Sequence, residues 1–445
     1  MDERTGTDGE GANWIGGEWR PALAGARFAA GAGPQGHEKQ ESGDRRPRRR
    51  QEPAWPRSSA EDLERARTEA GTGAGAWRSV EPQRRRAVLT DSLAVLAGMA
   101  GVLGRDLGLD RTRKCGLDAD REPGRDGPAD PAAALRRAAA GAADGPPEPA
   151  PAGAFRLVRA AAVEGLEGLS RAVLAGLAGG GAVVLVSDPA WPAAACALAG
   201  ALDRAGLPPG ALSVLHDDGL TALRAALARP DLAAADLCGP PEWLASLRGA
   251  ALGAPQPFGA GVVDRPRSTV TLRSPANRTA CVLAGDDPAA AARTLVRRAL
   301  GAATAFSGQR DGQVGRAVVH ERSFSEFTAA LLEAVEGLGP RGALLDAGLA
   351  GEREERLHLG LDEGATLVTG SSGPVAGSRG PRGRGILSPC VFTNVEPAMR
   401  LAAARRPAPV LCLLRAGDDD AARSLTDELD LPAPPGAASD PSPRP

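Results

Sequence analysis

This sequence predicts an α/β protein with two parallel-sheet units of the Rossmann type. Three observations carry that expectation. From Phe155 onward, short apolar runs alternate with helical patterns of about 12 residues, the mark of βαβ units. One run, Ala182 to Val186, is apolar throughout, as in a strand covered on both faces. Stop signals separate the elements: Gly206, followed by Pro208 and Pro209, closes a helix over 191–205. The 445 residues suffice for two or three domains and a large core.

Asn13 to Arg20 (NWIGGEWR) reads as a short strand and turn with two tryptophans to bury. Residues 28–54 are polar and include the run Arg45, Arg46, Arg48, Arg49 and Arg50. Such a run can be a nuclear signal or a nucleic-acid patch, but its polar surroundings favour a solvated linker. Residues 1–54 are thus expected to be a hairpin and a flexible linker. A helix starts at Ser59, its N-cap, with Glu61 and Asp62 in the first turn. Gly71, Gly73 and Ala76 read as a turn to a second helix over 82–99, where Leu89, Leu93 and Leu96 keep helical spacing. Residues 104–153 are rich in Asp, Arg, Gly and Pro, and only an Ala-rich helix near 131–143 stands out.

Strands follow from Phe155, over 182–186, over 211–215 and within 231–239. Helices over 168–178, 191–205 and 219–228 lie between them. These elements make residues 55–267 a cofactor-domain-like unit. The second unit, 268–430, opens with a strand over 268–272 and another over 280–285, then a helix over 288–306. A strand over 314–320 and a helix over 323–338 come next. ATLVTG, GILSPCVFTNV and APVLCLLRA supply further strands. The Pro-, Ser- and Ala-rich residues 431–445 are expected to be a disordered tail.

Bulk properties exclude several classes. A net charge of −2 implies neither a nucleic-acid partner nor an anionic membrane. The longest apolar run, 172–186, is shorter than the roughly 18 residues of a membrane span. No signal peptide opens the chain, so a cytoplasmic protein is expected. Cys115, Cys196, Cys238, Cys281, Cys390 and Cys412 show no CxxC spacing, which argues against zinc and for free thiols. Gly31, Gly33 and Gly36 spell G-x-G-x-x-G without the flanking strand and helix that a dinucleotide loop needs. Asp418, Asp419 and Asp420 read as a solvated loop, His320 as a structural residue at a strand end. Ser307 and Ser371 lack a G-x-S-x-G frame.

Several segments together resemble the aldehyde dehydrogenase superfamily. NWIGGEW is similar to its N-terminal hairpin. SAEDLERARTEA and AWRSVEPQRRRAVL are similar to its first two helices. The stretch LAGGGAVVLVSDPAWPAAACALAGALDRAGLPPGALSVLHDDG follows a family strand, helix, turn and strand. GQRD, then VGRAVVH, has the shape of the active-site segment, with Asp311 at the nucleophile's position. The resemblance implies the family's two-domain fold from about residue 13 to 430. It also implies an oxidoreductase that acts on aldehydes with NAD(P). The chain ends about where the family adds its oligomerisation strand, so a truncated C-terminal part is expected. The most similar type is a degenerate domain of the double-length family 16.

The functional positions depart from the pattern. A carboxylate at Asp311 cannot form the thiohemiacetal from which hydride leaves, and Arg310 and Arg316 nearby would pair with it. Arg273 stands where the resemblance puts the general base of L-E-L-G-G-K. An arginine stays protonated and accepts no proton. Ala161 to Gly165 lack the oxyanion asparagine of P-W-N-F-P. Val186 and Pro189 replace the lysine and glutamate of K-P-S-E. Of the G-S-T-x-x-G turn only Gly239 survives, followed by Pro240 and Pro241. Arg405 to Val410 replace E-x-F-G-P-V. No intact site residue and no cofactor are therefore expected, NAD(P) being the ancestral one. The expected role is an inactive binding or scaffold domain with an unidentified protein partner. The alternative is an active dehydrogenase with a displaced nucleophile, for which Cys281 is the nearest candidate.

Overall fold

The structure, a computed structural model, describes residues 12–29, 54–106, 154–252, 261–265, 268–300, 312–336, 347–372 and 388–431. The linker glycines Gly31, Gly33 and Gly36, the basic run at 45–50, the helix near 131–143, Ser307, Asp311 and the tail beyond Leu431 lie outside them. The chain forms two compact units, divided between Ser274 and Pro275.

The first unit opens with β1 (Asn13–Ile15) and β2 (Glu18–Arg20), an antiparallel hairpin in which Trp14 pairs with Trp19. Gly16 and Gly17 turn the chain at positive φ, 65° and 83°, which matches the two-residue hairpin turn. The tryptophan rings meet edge to face at 4.8 Å. A second small ladder joins β3 (Arg27–Ala29) to β4 (Ala54–Pro56).

Helix α1 (Ala60–Ser79) starts as expected, with a capping box between Ser59 and Asp62. The turn expected at 71–76 does not form, and α1 runs straight through Gly71, Gly73 and Gly75. A Cβ on Gly73 would lie 2.1 Å from the carbonyl carbon of Gly210. The glycine that reads as a turn signal is therefore a contact point where helix backbone meets loop backbone. Trp77 is fully buried and donates Nε1–H to the Leu177 carbonyl at 2.8 Å. Helix α2 (Pro82–Asp106) follows.

Next come β5 (Phe155–Arg159), a 3₁₀ turn (Ala162–Glu164), α3 (Gly165–Ala178), β6 (Ala182–Ser187), α4 (Pro192–Ala205) and β7 (Leu212–His216). Gly206 closes α4 in the left-handed region, and Leu207 N–H reaches back to the Leu202 carbonyl. Then follow α5 (Thr221–Leu227), β8 (Leu232–Cys238), α6 (Pro241–Leu252), β9 (Gly261–Arg265) and β10 (Ser268–Arg273). The sheet order is β2-β1-β7-β6-β5-β8-β10-β9. Strands β7, β6, β5, β8 and β10 are parallel. Sequence opened the second unit with residues 268–272, but β10 instead pairs with β8 in the first sheet. A strand cannot declare by its own residues which sheet it will join.

The second unit contains β11 (Arg278–Val282), α7 (Pro288–Leu300), β12 (Val314–His320), α8 (Glu321–Glu336) and α9 (Ala347–Asp362). It continues with β13 (Thr366–Thr369), β14 (Cys390–Thr393), the single turn α10 (Arg400–Ala403), β15 (Val410–Ala416) and α11 (Asp419–Asp430). The order is β11-β12-β15-β14-β13, with only β13 antiparallel. Alternate residues of β12 feed two cores: Ala317 and Val319 enter one, Val318 the other. The expected loop at Asp418–Asp420 is a helix start. Asp418 accepts the Ala421 N–H at 2.7 Å, and Asp419 the Ala284 N–H at 2.8 Å. Among the described residues no helix is long and apolar enough to cross a membrane.

Candidate active site

Parallel strands bring their carboxyl ends to one edge of the first sheet. From β5 the chain adds β6 and β7 on one side and then β8 and β10 on the other, so the switch point lies between β5 and β8. Open α/β sheets bind ligands in that crevice.

Arg273 ends β10 at this edge. Its Nη1 donates to Glu164 Oε1 at 2.5 Å and its Nε to Asp236 Oδ1 at 2.9 Å. The Glu164 side chain is only 2% exposed. Its Oε2 accepts the Ala161 N–H at 3.0 Å, and Arg171 lies 3.9 Å from Oε1. Burial alone would lower the Arg273 pKa. The Glu164 charge, followed by the hydrogen bond and charge of Asp236, outweighs it and raises the pKa above the ordinary value. A guanidinium so held has no lone pair to offer and cannot act as a base. Sequence marked Arg273, but nothing in AAVEG announced that Glu164 would be its counter-ion.

Gly239 lies beside it: its N–H donates to the Arg273 carbonyl at 3.0 Å. Two of the three marked positions thus meet through the backbone, while Asp311 lies outside the described residues. Pro240 and Pro241 follow Gly239 and carry no N–H. The N–H groups of Trp243 and Leu244 both go to the Pro240 carbonyl, at 3.0 and 3.1 Å.

Arg159, the last residue of β5, went unmarked by sequence. Its side chain is 2% exposed, and its Cζ sits 4.1 Å from the centre of the Trp243 ring. Its Nη1 reaches the Ser187 carbonyl at 3.5 Å, and its Nη2 lies 3.6 Å from Asp188 Oδ2. Asp188 accepts the N–H groups of Ala162 and Ala190 at 2.9 and 2.8 Å. Asp217 accepts those of Gly219 and Ala222, at 2.9 and 3.0 Å, and so caps α5. Asp218 pairs with Arg57 at 2.6 Å.

The other marked segment, 405–410, serves the second unit's frame. Arg405 Nη2 donates to the Asp430 carbonyl at 2.9 Å, capping α11, and Arg406 pairs with Glu352 at 2.8 Å. Arg316 is 1% exposed and binds Thr279, Asn277, Ala402 and Asp430. His320 Nδ1 accepts the Arg322 N–H at 3.1 Å, a structural role at the start of α8. Burial pushes the Cys390 thiol up to about 11 and the Cys412 thiol up to about 12. Both are poor nucleophiles at neutral pH. Cys281 packs in β11 against a hydrophobic cluster. Among the described residues no group of His, Cys, Asp and Glu could hold a metal ion.

A first unit whose parallel sheet has its switch point between β5 and β8, and a second unit with a smaller, mostly parallel sheet, define an α/β protein of the Rossmann type. The model of the aldehyde dehydrogenase family matches residues 167–431, more than half of the chain, and the chain belongs to that family. An alpha-ketoglutarate semialdehyde dehydrogenase of Haloferax volcanii is 28% identical over 261 residues, or 57% of this chain. The match spans only 50% of that relative. An aldehyde dehydrogenase C variant of Pseudomonas syringae, solved with NAD+ and octanal, superposes with a TM-score of 0.73 at 21% identity. It covers 96% of this chain and 84% of its own. An NAD-dependent benzaldehyde dehydrogenase of Corynebacterium glutamicum gives 0.70 at 18% identity, covering 95% and 88%. At these identities the two structures establish the fold, not the chemistry.

Proposed function

We propose that this chain is a catalytically inactive aldehyde dehydrogenase that works by binding, as a scaffold or regulatory domain for a protein partner in the cytoplasm. It is most like a degenerate domain of the double-length family 16. The observation that carries this reading is Arg273. At the position where the family resemblance puts a general base, it is a cation tied to two carboxylates. Asp311 at the nucleophile's position points the same way, since a carboxylate attacking an aldehyde forms no adduct able to release hydride. So does the absence of asparagine from 161–165, because a lost oxyanion donor typically costs about 10²–10³ in rate.

The test is NADH or NADPH formation from a panel of aliphatic and aromatic aldehydes by the unmodified chain. No turnover above the uncatalysed rate is expected. Sustained turnover that disappears in a Cys281→Ser variant would replace this reading with that of a dehydrogenase using a displaced nucleophile.

A further inference from the structure

We infer that the carboxyl edge of the first sheet is closed to a dinucleotide by the chain's own groups. A pyrophosphate at a Rossmann switch point needs free N–H groups at a helix N-terminus and room beside the strand ends. Neither is present. The Gly239 N–H is spent on the Arg273 carbonyl, and Pro240 and Pro241 have none. Those of Trp243 and Leu244 turn back onto Pro240. These groups lie at the start of α6, on the β8 side of the crevice, where the Glu242 N–H stands as a single donor rather than a cradle.

On the β5 side, Arg159 takes the space. Its guanidinium is stacked on the Trp243 ring and almost wholly withdrawn from solvent. This pair joins the end of β5 to the first turn of α6, across the gap that a bound nucleotide would span. The neighbouring strand ends are acidic. Glu164, Asp188, Asp217 and Asp236 follow or lie within β5, β6, β7 and β8, and three of them accept backbone N–H groups that an anion could otherwise use. A pyrophosphate would meet their negative charge, and Arg273 at this edge is already engaged by Glu164 and Asp236. The Rossmann unit is thus filled from within, and its folding does not depend on a cofactor.

This inference stands apart from the non-catalytic reading. A chain that bound NAD without turnover would refute the first and leave the second intact. The experiment is thermal unfolding and calorimetric titration of the full chain with NAD+ and NADP+ at up to about 2 mM. The expected result is an unchanged melting temperature and no saturable heat. A dissociation constant of about 10 μM would instead raise the melting temperature by several degrees at that concentration. The tryptophan signal provides a second measurement, since all six tryptophans lie before Ser274. The difference between the full chain and a Trp243→Phe variant isolates Trp243, and that difference should not respond to either nucleotide. Saturable micromolar binding, or a nucleotide-dependent change in the Trp243 signal, overturns the inference.

Discussion

Lowering the pH from 7.5 to 5 should destabilise the first unit through one side chain, His216. The ring is fully buried at the end of β7. Ser187 Oγ lies 2.7 Å from Nδ1, Cys196 Sγ 3.7 Å from Nε2, and the Trp55 ring 5.0 Å away. Burial lowers its pKa from 6.5 to about 3, partly offset by a hydrogen bond to the Ala12 backbone. A depressed histidine pKa means that the unfolded chain binds the proton more tightly. The resulting stability is complete above pH 6.5 and is lost as the pH falls towards 3. At pH 5 the loss is about 2 kcal/mol. Asp217 next to it acts in the opposite sense. Burial raises its pKa, against two backbone hydrogen bonds, so it favours the folded state at the acid end of its own window. The slope of the unmodified protein is therefore a residue of two effects, and the comparison with His216→Gln isolates the histidine. Urea unfolding followed by tryptophan fluorescence at pH 7.5, 6.5, 5.5 and 5 reports the first unit, which holds all six tryptophans. The variant should be less stable at pH 7.5 and lose about 2 kcal/mol less on acidification. Equal acid sensitivity of the two proteins would refute the argument.

Arg273→Glu would place a third carboxylate beside Glu164 and Asp236, and leave the buried Glu164 without its main partner. A loss of about 3–5 kcal/mol is expected in urea unfolding, and stability within 0.5 kcal/mol of the parent would show that the network carries no weight. Gly73→Ala gains about 1 kcal/mol of helix propensity but drives a methyl into the Gly210 backbone. A net loss of about 2 kcal/mol or more should appear as a lower melting temperature, and a gain would contradict the close packing. Asp311→Cys should be labelled by iodoacetamide, since Arg310 beside it in sequence favours a thiolate. It should still form no NADH from aldehydes, because one member of a catalytic group achieves little without the others. NADH formation by this single variant would mean that the rest of the site is intact.

Sequence by itself determined what depends on local chemistry. A continuous apolar run marked β6, and apolar-rich ones marked β7 and β12. The Ser59 N-cap and the Gly206 stop marked helix ends, because caps and turn residues act within a few positions of themselves. Arg273, and the prolines Pro240 and Pro241 after Gly239, were equally legible, since a residue's charge or missing N–H needs no fold to be read. Tertiary structure decided everything that depends on a distant partner. It assigned β10 to the first sheet and turned the Gly71–Ala76 signal into a packed helix, through a contact with Gly210 that lies far along the chain. It revealed α9, whose buried face carries Glu352, Arg353 and Arg356 and so breaks the apolar period by which a helix is recognised. Above all, it joined Arg273 to Glu164 across 109 residues and stacked Arg159 on Trp243. An ion pair or a stacked ring depends on distance and burial in space, and only folding sets those for residues so far apart in the chain.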